Sequence, residues 1–290
     1  MTLFLKDEDV AQCVTMDGML EAIESMQQHY GDGQAHNMTR RKIIADSGML
    51  SVMGGGLFHM GLLGVKTYTV VKGSYSFQVS LYDANTGELL LYTQANRLGQ
   101  LRTGASTGVT VKHLANAGDV TVGIIGTGGQ APTQLEAVSK VRNIKTIKAF
   151  SRTLDRREAF ASKMTETMGI DVSAAATNEE AVRDCDIVLC VAATMDPVVE
   201  GSWLKDGSTV IGAGPTTWRA REVDEATIAR ADKIIVDSNE QAAIEAGDIC
   251  NAVDKGLIQW SKVHELRHVV SGVVSGRDNE GQIVYAKIMG

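Results

Sequence analysis

The chain has 290 residues, 44% of them apolar and 22% charged, which is long enough to bury one large core or two medium ones. Its 35 acidic residues outnumber 28 basic ones for a formal net charge of −7, so no global field draws it to nucleic acid or an anionic membrane. No apolar run approaches the roughly 20 residues that cross a bilayer. The opening stretch, MTLFLKDEDV, turns acidic at Asp7 and does not read as a signal peptide. Cys13, Cys185, Cys190 and Cys250 show no CxxC or zinc-ligand spacing, and the histidines are scattered, so no metal site is expected. A reducing, cytoplasmic setting is expected, with neither nucleic acid nor membrane as partner.

Along the chain, MDGMLEAIESMQQHYGDG places Met16, Met19, Leu20, Ile23 and Met26 at helical spacing and ends on a Gly-Asp-Gly stop. Short β-like runs follow: RKIIAD, MLSVMGG, LLGVKTYTVV and SFQVSLYDANTGELLLYTQ. In the last of these, ANTG between two alternating runs predicts a hairpin. TGASTGVTVKHLA reads as a helix, so the first third is an α+β unit. From Gly118 onward, continuous Val/Ile-rich bursts alternate with helical stretches, which predicts a parallel sheet covered on both faces: a doubly wound, Rossmann-type α/β domain. The tail, HVVSGVVSGRDNEGQIVYAKIMG, returns to short β-like runs. The expected division is residues 1–116 plus about 276–290 as a substrate-binding and dimerisation domain, and residues 117–275 as the NAD(P)-binding domain.

The sharpest motif is Gly126-Thr127-Gly128-Gly129-Gln130-Ala131, a G-x-G-x-x-A turn between an apolar strand and a helix. Gly126 permits the tight turn, Gly128 lets the backbone approach a pyrophosphate, and Ala131 allows close packing of helix on strand. Pro132 suits the first helical turn, where its missing N–H is no loss. Alone, the motif fits an ordinary buried turn equally well; its strand–turn–helix setting favours a dinucleotide cradle. An NAD site places an acid at the end of the second strand. Here TIKAF ends in Ser151-Arg152-Thr153, and a hydroxyl beside a guanidinium suits a 2′-phosphate, so NADP(H) is preferred over NAD(H). The plain alternative is a surface arginine. Thr194, beyond the DIVLCVAA strand, completes the cofactor-binding candidates.

Several separated motifs make the sequence similar to the ornithine cyclodeaminase/μ-crystallin family: GVK at 64–66, LYDANTGELL at 81–90, ANRLGQLRTGASTGVTVKHLA at 95–115, GIIGTGGQAPTQLEA at 123–137, FSRT at 150–153 and VDSNEQAAIEAGD at 236–248. Members of that family include amino-acid cyclodeaminases, alanine dehydrogenases and reductases of cyclic imines, all binding a nicotinamide dinucleotide. The resemblance implies a first domain that holds substrate and dimerises through a shared sheet. It implies that Lys66 sits beside the reacting carbon–nitrogen centre and that Arg102 and Thr103 bind the substrate carboxylate. It also implies a further carboxylate-binding arginine in the zone of Arg40 and Arg41, between which spacing does not decide. Read without the family, Lys66 is the polar position of an alternating strand, Arg102 fits a helix-end salt bridge, and Arg40 and Arg41 are surface charge.

Three departures bear on chemistry. Cyclodeaminases carry an aspartate in a Gly-Ala-Asp setting where this chain reads Gly212-Ala213-Gly214-Pro215, and Asp224 lies too far along to substitute for it. Met53-Gly54 stands where relatives read Met-Pro. The sequence ends at QIVYAKIMG, close to where relatives read Phe-Lys-Ser-x-Gly and continue for another helix. The expected function is therefore an NAD(P)H-dependent oxidoreductase acting on C–N bonds. It would reduce a small α-imino (ketimine) carboxylate or reversibly deaminate an amino acid, as a homodimer. The alternatives are an ornithine cyclodeaminase-type ammonia lyase and a non-catalytic NADPH- and ligand-binding protein.

Overall fold

The computed structural model describes residues 1–290, which divide into two units, 1–102 and 103–290. The first opens with β1 (Leu3–Leu5), α1 (Asp7–Cys13) and α2 (Met16–Gly31). The strands β2 (Ala35–Asn37), β3 (Arg41–Ala45), β4 (Gly48–Leu57), β5 (Leu62–Val71), β6 (Ser74–Asp83) and β7 (Leu89–Gln94) follow. They form one sheet in the order β1-β7-β6-β5-β4-β2, with β3 also on β4; β1 runs parallel to β7 and the other pairs are antiparallel. The Thr15 side chain accepts a hydrogen bond from the Gly18 N–H and so caps α2. The predicted hairpin forms between β6 and β7. Its turn is closed by the Asp83 carboxylate, which accepts from the N–H groups of Asn85 (2.7 Å) and Thr86 (2.9 Å), an arrangement that suits aspartate at a turn start.

Helix α3 (Asn96–Leu114) leads into the second unit. There the chain alternates β8 (Asp119–Ile125), α4 (Ala131–Val141), β9 (Asn143–Phe150), α5 (Leu154–Met168), β10 (Asp171–Ala174), α6 (Asn178–Val182), β11 (Ile187–Cys190) and β12 (Thr209–Gly212). It continues through α7 (Glu225–Arg230), β13 (Lys233–Val236), α8 (Asn239–Glu245), α9 (Gly247–Asp254), β14 (Val263–Glu265), α10 (Leu266–Val270) and β15 (Val284–Lys287). All eight strands pair in parallel, in the order β10-β9-β8-β11-β12-β15-β13-β14. The order reverses between β8 and β11, the switch point at which ligands bind in doubly wound sheets. Side chains alternate between two apolar layers: Ile124, Leu189 and Ile211 turn to one, Ile125, Val188 and Val210 to the other. Burial on both faces, at about 1.5–3 kcal/mol per large aliphatic side chain, is why these strands read as continuous apolar runs.

Two expectations about domain limits are corrected. The tail does not rejoin the first unit: β15 inserts between β12 and β13, with all four of its residues buried. The break also falls at residue 102 rather than 116. The C-terminal half of α3 is tied to the second unit by Arg142, whose guanidinium donates to the carbonyls of Val111, Lys112 and Ala115 at 2.8–3.0 Å. Neither tie is visible in local periodicity.

Candidate active site

In the first unit the site is built around Lys66, in the middle of β5, where it faces Met53 on β4 and Val79 on β6. Neither partner carries charge. Burial pulls the Lys66 ammonium down to a pKa of about 6, helped by repulsion from Arg102 and then Arg40. Both rings that flank it are aromatic: its Nζ lies 5.6 Å from the centroid of Phe77 and 5.8 Å from that of Tyr68. Arg40, immediately before β3, is 5% exposed. Arg41 is exposed and stands opposite Val52, whose partner on β5 is Thr67, so it lies on the face of the sheet away from Lys66. Of the two, Arg40 stands near Lys66 and Arg102, and Arg41 lies on the opposite face of the sheet. Thr103 follows Arg102 on α3 and is buried. Two guanidinium groups near a buried lysine of lowered pKa are chemically suited to one carboxylate and one transferable proton.

In the second unit, the turn from Gly126 to Ala131 lies at the C-terminal end of β8. Gly126 has φ 105° and donates its N–H to the Phe150 carbonyl at 2.8 Å; a Cβ there would stand 2.7 Å from the Val191 carbonyl oxygen. Only glycine fits. Gly128 and Gly129 are exposed, nothing lies within 4 Å of where a Gly128 Cβ would be, and α4 starts at Ala131 with Pro132 in its first turn. Gln130 holds a buried Oε1 without a hydrogen-bond partner. An open glycine backbone at the start of an eleven-residue helix fits a pyrophosphate.

Past the second strand, Thr127 Oγ1 donates to Ser151 Oγ at 3.0 Å, which joins the glycine turn to the end of β9. Arg152 and Thr153 are exposed. Arg157, one turn into α5 and not singled out in the sequence, packs its guanidinium 5.1 Å from the Phe150 ring centroid and donates to the Ser151 carbonyl at 3.3 Å. Thr194 turns its hydroxyl onto the Asp196 carbonyl at 2.6 Å within its own loop.

A buried ion cluster lies under the 212–215 loop, assembled from segments far apart in the chain. Lys287 Nζ lies 2.7 Å from Glu222 Oε2 and 3.0 Å from Asp248 Oδ2, with the Lys287 and Glu222 side chains fully buried. Glu222 Oε2 also accepts from the Gly214 N–H at 3.1 Å, and its Oε1 would stand 2.4 Å from a Cβ on Gly214. Asp248 accepts from the N–H groups of Glu222 (2.6 Å) and Val223 (3.0 Å). Burial pushes the Glu222 carboxyl up to about 7, the two carboxylates hold the Lys287 ammonium above its ordinary value, and Glu222 is the member that takes up a proton. The partners of Glu222 lie 26 and 65 residues away from it, beyond any spacing rule.

The parallel sheet with a glycine turn at its switch point defines a Rossmann-type protein with an α+β unit alongside it in the chain. Residues 1–290 match the ornithine cyclodeaminase/mu-crystallin family, and the chain belongs to it. It is 35% identical over 236 residues to the Delta(1)-pyrroline-2-carboxylate reductase of Bacillus cereus, covering 79% of this chain and 72% of the relative. Among solved structures, that of Thermococcus litoralis Delta(1)-pyrroline-2-carboxylate reductase in complex with NADH and L-proline superposes with a TM-score of 0.95 at 30% identity, over 100% of this chain and 92% of that one. An archaeal alanine dehydrogenase dimer with bound NAD gives 0.93 at 31% identity, over 100% and 91%.

Proposed function

We propose that the protein is an NAD(P)H-dependent oxidoreductase that reduces a small α-imino carboxylate to the amino acid, or runs the same step in reverse. The observation that carries this reading is the Lys66–Arg102–Arg40 group, a lysine with a pKa of about 6 held there by burial and two cations. The family and the relatives' chemistry support it. Arg102, with Thr103 and Arg40, binds the substrate carboxylate. A carboxylate in that place cancels the guanidinium repulsion on Lys66, so its pKa rises when substrate binds and the ammonium holds a proton for the imine nitrogen. The nicotinamide, when bound, supplies the hydride that goes to the imine carbon. C=N, one hydride and one proton give CH–NH, and Lys66 is left neutral to be reprotonated from water.

The turn Gly126, Thr127, Gly128, Gly129, Gln130 and Ala131 would hold the pyrophosphate, and Ser151, Arg152 and Thr153 the adenosine ribose, with Thr194 further along. NADP(H) is preferred over NAD(H) in this reading because no acid ends β9 and Arg152 is free to meet a 2′-phosphate. A homodimer is part of the proposal, supported by the alanine dehydrogenase dimer and by exposed Phe4, Tyr92, Ile43 and Ile44 on the first unit's strands. A cytoplasmic location belongs to the same reading.

The lyase alternative needs an acid at position 214, and the Glu222 carboxylate fills the space a side chain would need there. The experiment is to mix NADPH or NADH with pyrroline-2-carboxylate, piperideine-2-carboxylate, or pyruvate and an amine, and follow nicotinamide absorbance. Turnover that Lys66→Met abolishes supports the reductase. Tight NADPH binding with none of these imino acids consumed would replace it with a binding protein, and ammonia release from ornithine on catalytic cofactor with a lyase.

A further inference from the structure

The ammonium of Lys66 lies in a setting that its charged neighbours alone do not account for. The charged groups acting on it are Arg102 from α3 and Arg40 ahead of β3, both cations, and its partners Met53 on β4 and Val79 on β6 are uncharged. What stands close on the same face is aromatic. Tyr68 is two residues further along β5, so it shares the Lys66 face, and Phe77 sits directly opposite it on β6. The two ring centroids are 4.9 Å apart, and Tyr75, next along that face of β6, stacks on Phe77 at 5.9 Å with the planes 7° apart. Tyr68 is 7% exposed, so its ring is locked by packing. Lys66 Nζ is within 6 Å of both Phe77 and Tyr68, the range in which a π face attracts a cation, and a ring face is the negative end of its quadrupole.

We propose that Phe77 and Tyr68 are positioning residues for Lys66, whose ring faces fix the ammonium in place and hold its proton against the two guanidinium groups. The role they serve rests on the reading of Lys66 as the proton donor, but the interaction itself does not. In the free protein the rings oppose the pull of burial and of Arg40 and Arg102. With a carboxylate bound they keep the ammonium aimed at one point, so that proton transfer needs no side-chain search. The Tyr68 ring offers the same π face whether or not its hydroxyl is present.

The test reads Lys66 directly. The whole protein is exposed to trace acetic anhydride across pH 4–11, and acetylation of Lys66 is quantified by mass spectrometry, so that the midpoint reports its protonation without any turnover. Phe77→Leu and Tyr68→Leu, each apolar and without a quadrupole, are expected to lower the midpoint by about half a unit to one unit. Phe77→Trp and Tyr68→Phe, which keep a ring, are expected to leave it within about 0.2 units of the starting protein. The two positions test the same claim, so a variant that does not fold leaves the other pair. Midpoints that stay put in the leucine variants, or that move equally with leucine and with the ring-bearing substitution, overturn the proposal. A protein that consumes no imino acid yet shows the leucine shift refutes the reductase and leaves the ring effect standing.

Discussion

Lys287 and Glu222 meet at 2.7 Å with neither side chain reaching solvent, and Asp248 completes the cluster 3.0 Å from the same ammonium. One cation cannot neutralise two carboxylates, and burial raises the Glu222 carboxyl to about 7. Removing the ammonium by Lys287→Met leaves two buried carboxylates uncompensated and is expected to destabilise the protein by about 3–5 kcal/mol. Glu222→Gln mimics the protonated carboxyl and is expected to be far milder. Urea melts of both variants at pH 7 check the ranking.

The same carboxyl makes stability depend on pH. A carboxyl whose folded pKa is about 7 against an ordinary value of 4.5 takes up a proton on folding, so its contribution is complete below about 4.5 and is lost as pH rises through 7. The difference across that window is about 3 kcal/mol for so fully buried a group. Glu222→Gln is expected to flatten the fall between pH 5 and 8, and melts at half-unit intervals would show it. An unchanged slope would mean that Glu222 stays ionised throughout.

Lys66 is expected to carry the opposite trade. Its folded pKa of about 6 lies below the ordinary 10.5, so the free protein gains stability as pH rises from 6 to 10.5. Lys66→Met is expected to raise Tm by a few degrees at pH 7 while lowering kcat by about a hundredfold or more. In the intact enzyme, kcat/KM in the reductive direction is expected to fall above about pH 6. The kcat limb is expected at higher pH, because bound carboxylate relieves the repulsion from Arg40 and Arg102. Coincident limbs would count against the carboxylate site.

Arg40 and Arg41 are adjacent in sequence and separated by the sheet. Arg40→Met is expected to raise KM for the imino acid about 10- to 100-fold and to move the Lys66 limb upward, because a repelling cation is gone. Arg41→Met, on the far face, is expected to change KM less than about twofold. Steady-state kinetics on the pair, with KM and kcat separated, decide it.

Arg152→Glu is expected to reverse the dinucleotide preference, lowering kcat/KM with NADPH about tenfold or more and leaving NADH unchanged or improved. Arg157→Met loosens the end of β9, where its guanidinium packs on Phe150, and is expected to weaken both dinucleotides alike. If Arg152→Glu left the ratio of the two untouched, the preference for NADP(H) would lose its basis.

Much of this arrangement can be read from local pattern. Apolar runs buried on both faces mark Ile187–Cys190 and Lys233–Val236 as strands, and the turn at Gly126 follows from its strand–turn–helix setting. The ANTG turn follows from aspartate and glycine chemistry at Asp83 and Gly87. What could not be read is what the fold assembles from distant segments. Lys287 meets Glu222 across 65 residues, and the choice of Arg40 over Arg41 depends on the register of β3 against β4. The aromatic flank of Lys66 was half legible, since Tyr68 shares its strand and period, whereas Phe77 arrives by pairing of β5 with β6. The tail was misplaced because a four-residue strand has too little period to name its partners.

The placement of β15 sets an order on assembly. Strands β10, β9, β8, β11 and β12 can associate early, and β13 can pair with β14, yet the two blocks join only through Val284–Lys287. Until that segment emerges, β12 and β13 each present an unpaired edge, the kind of surface that captures stray chains. The strand that closes the gap also delivers Lys287 to Glu222 and Asp248, so a chain interrupted before it would leave an open seam and two buried acids without their counter-ion. Ribosome-stalled or truncated products of this protein should therefore be the species that chaperones and proteases recognise first.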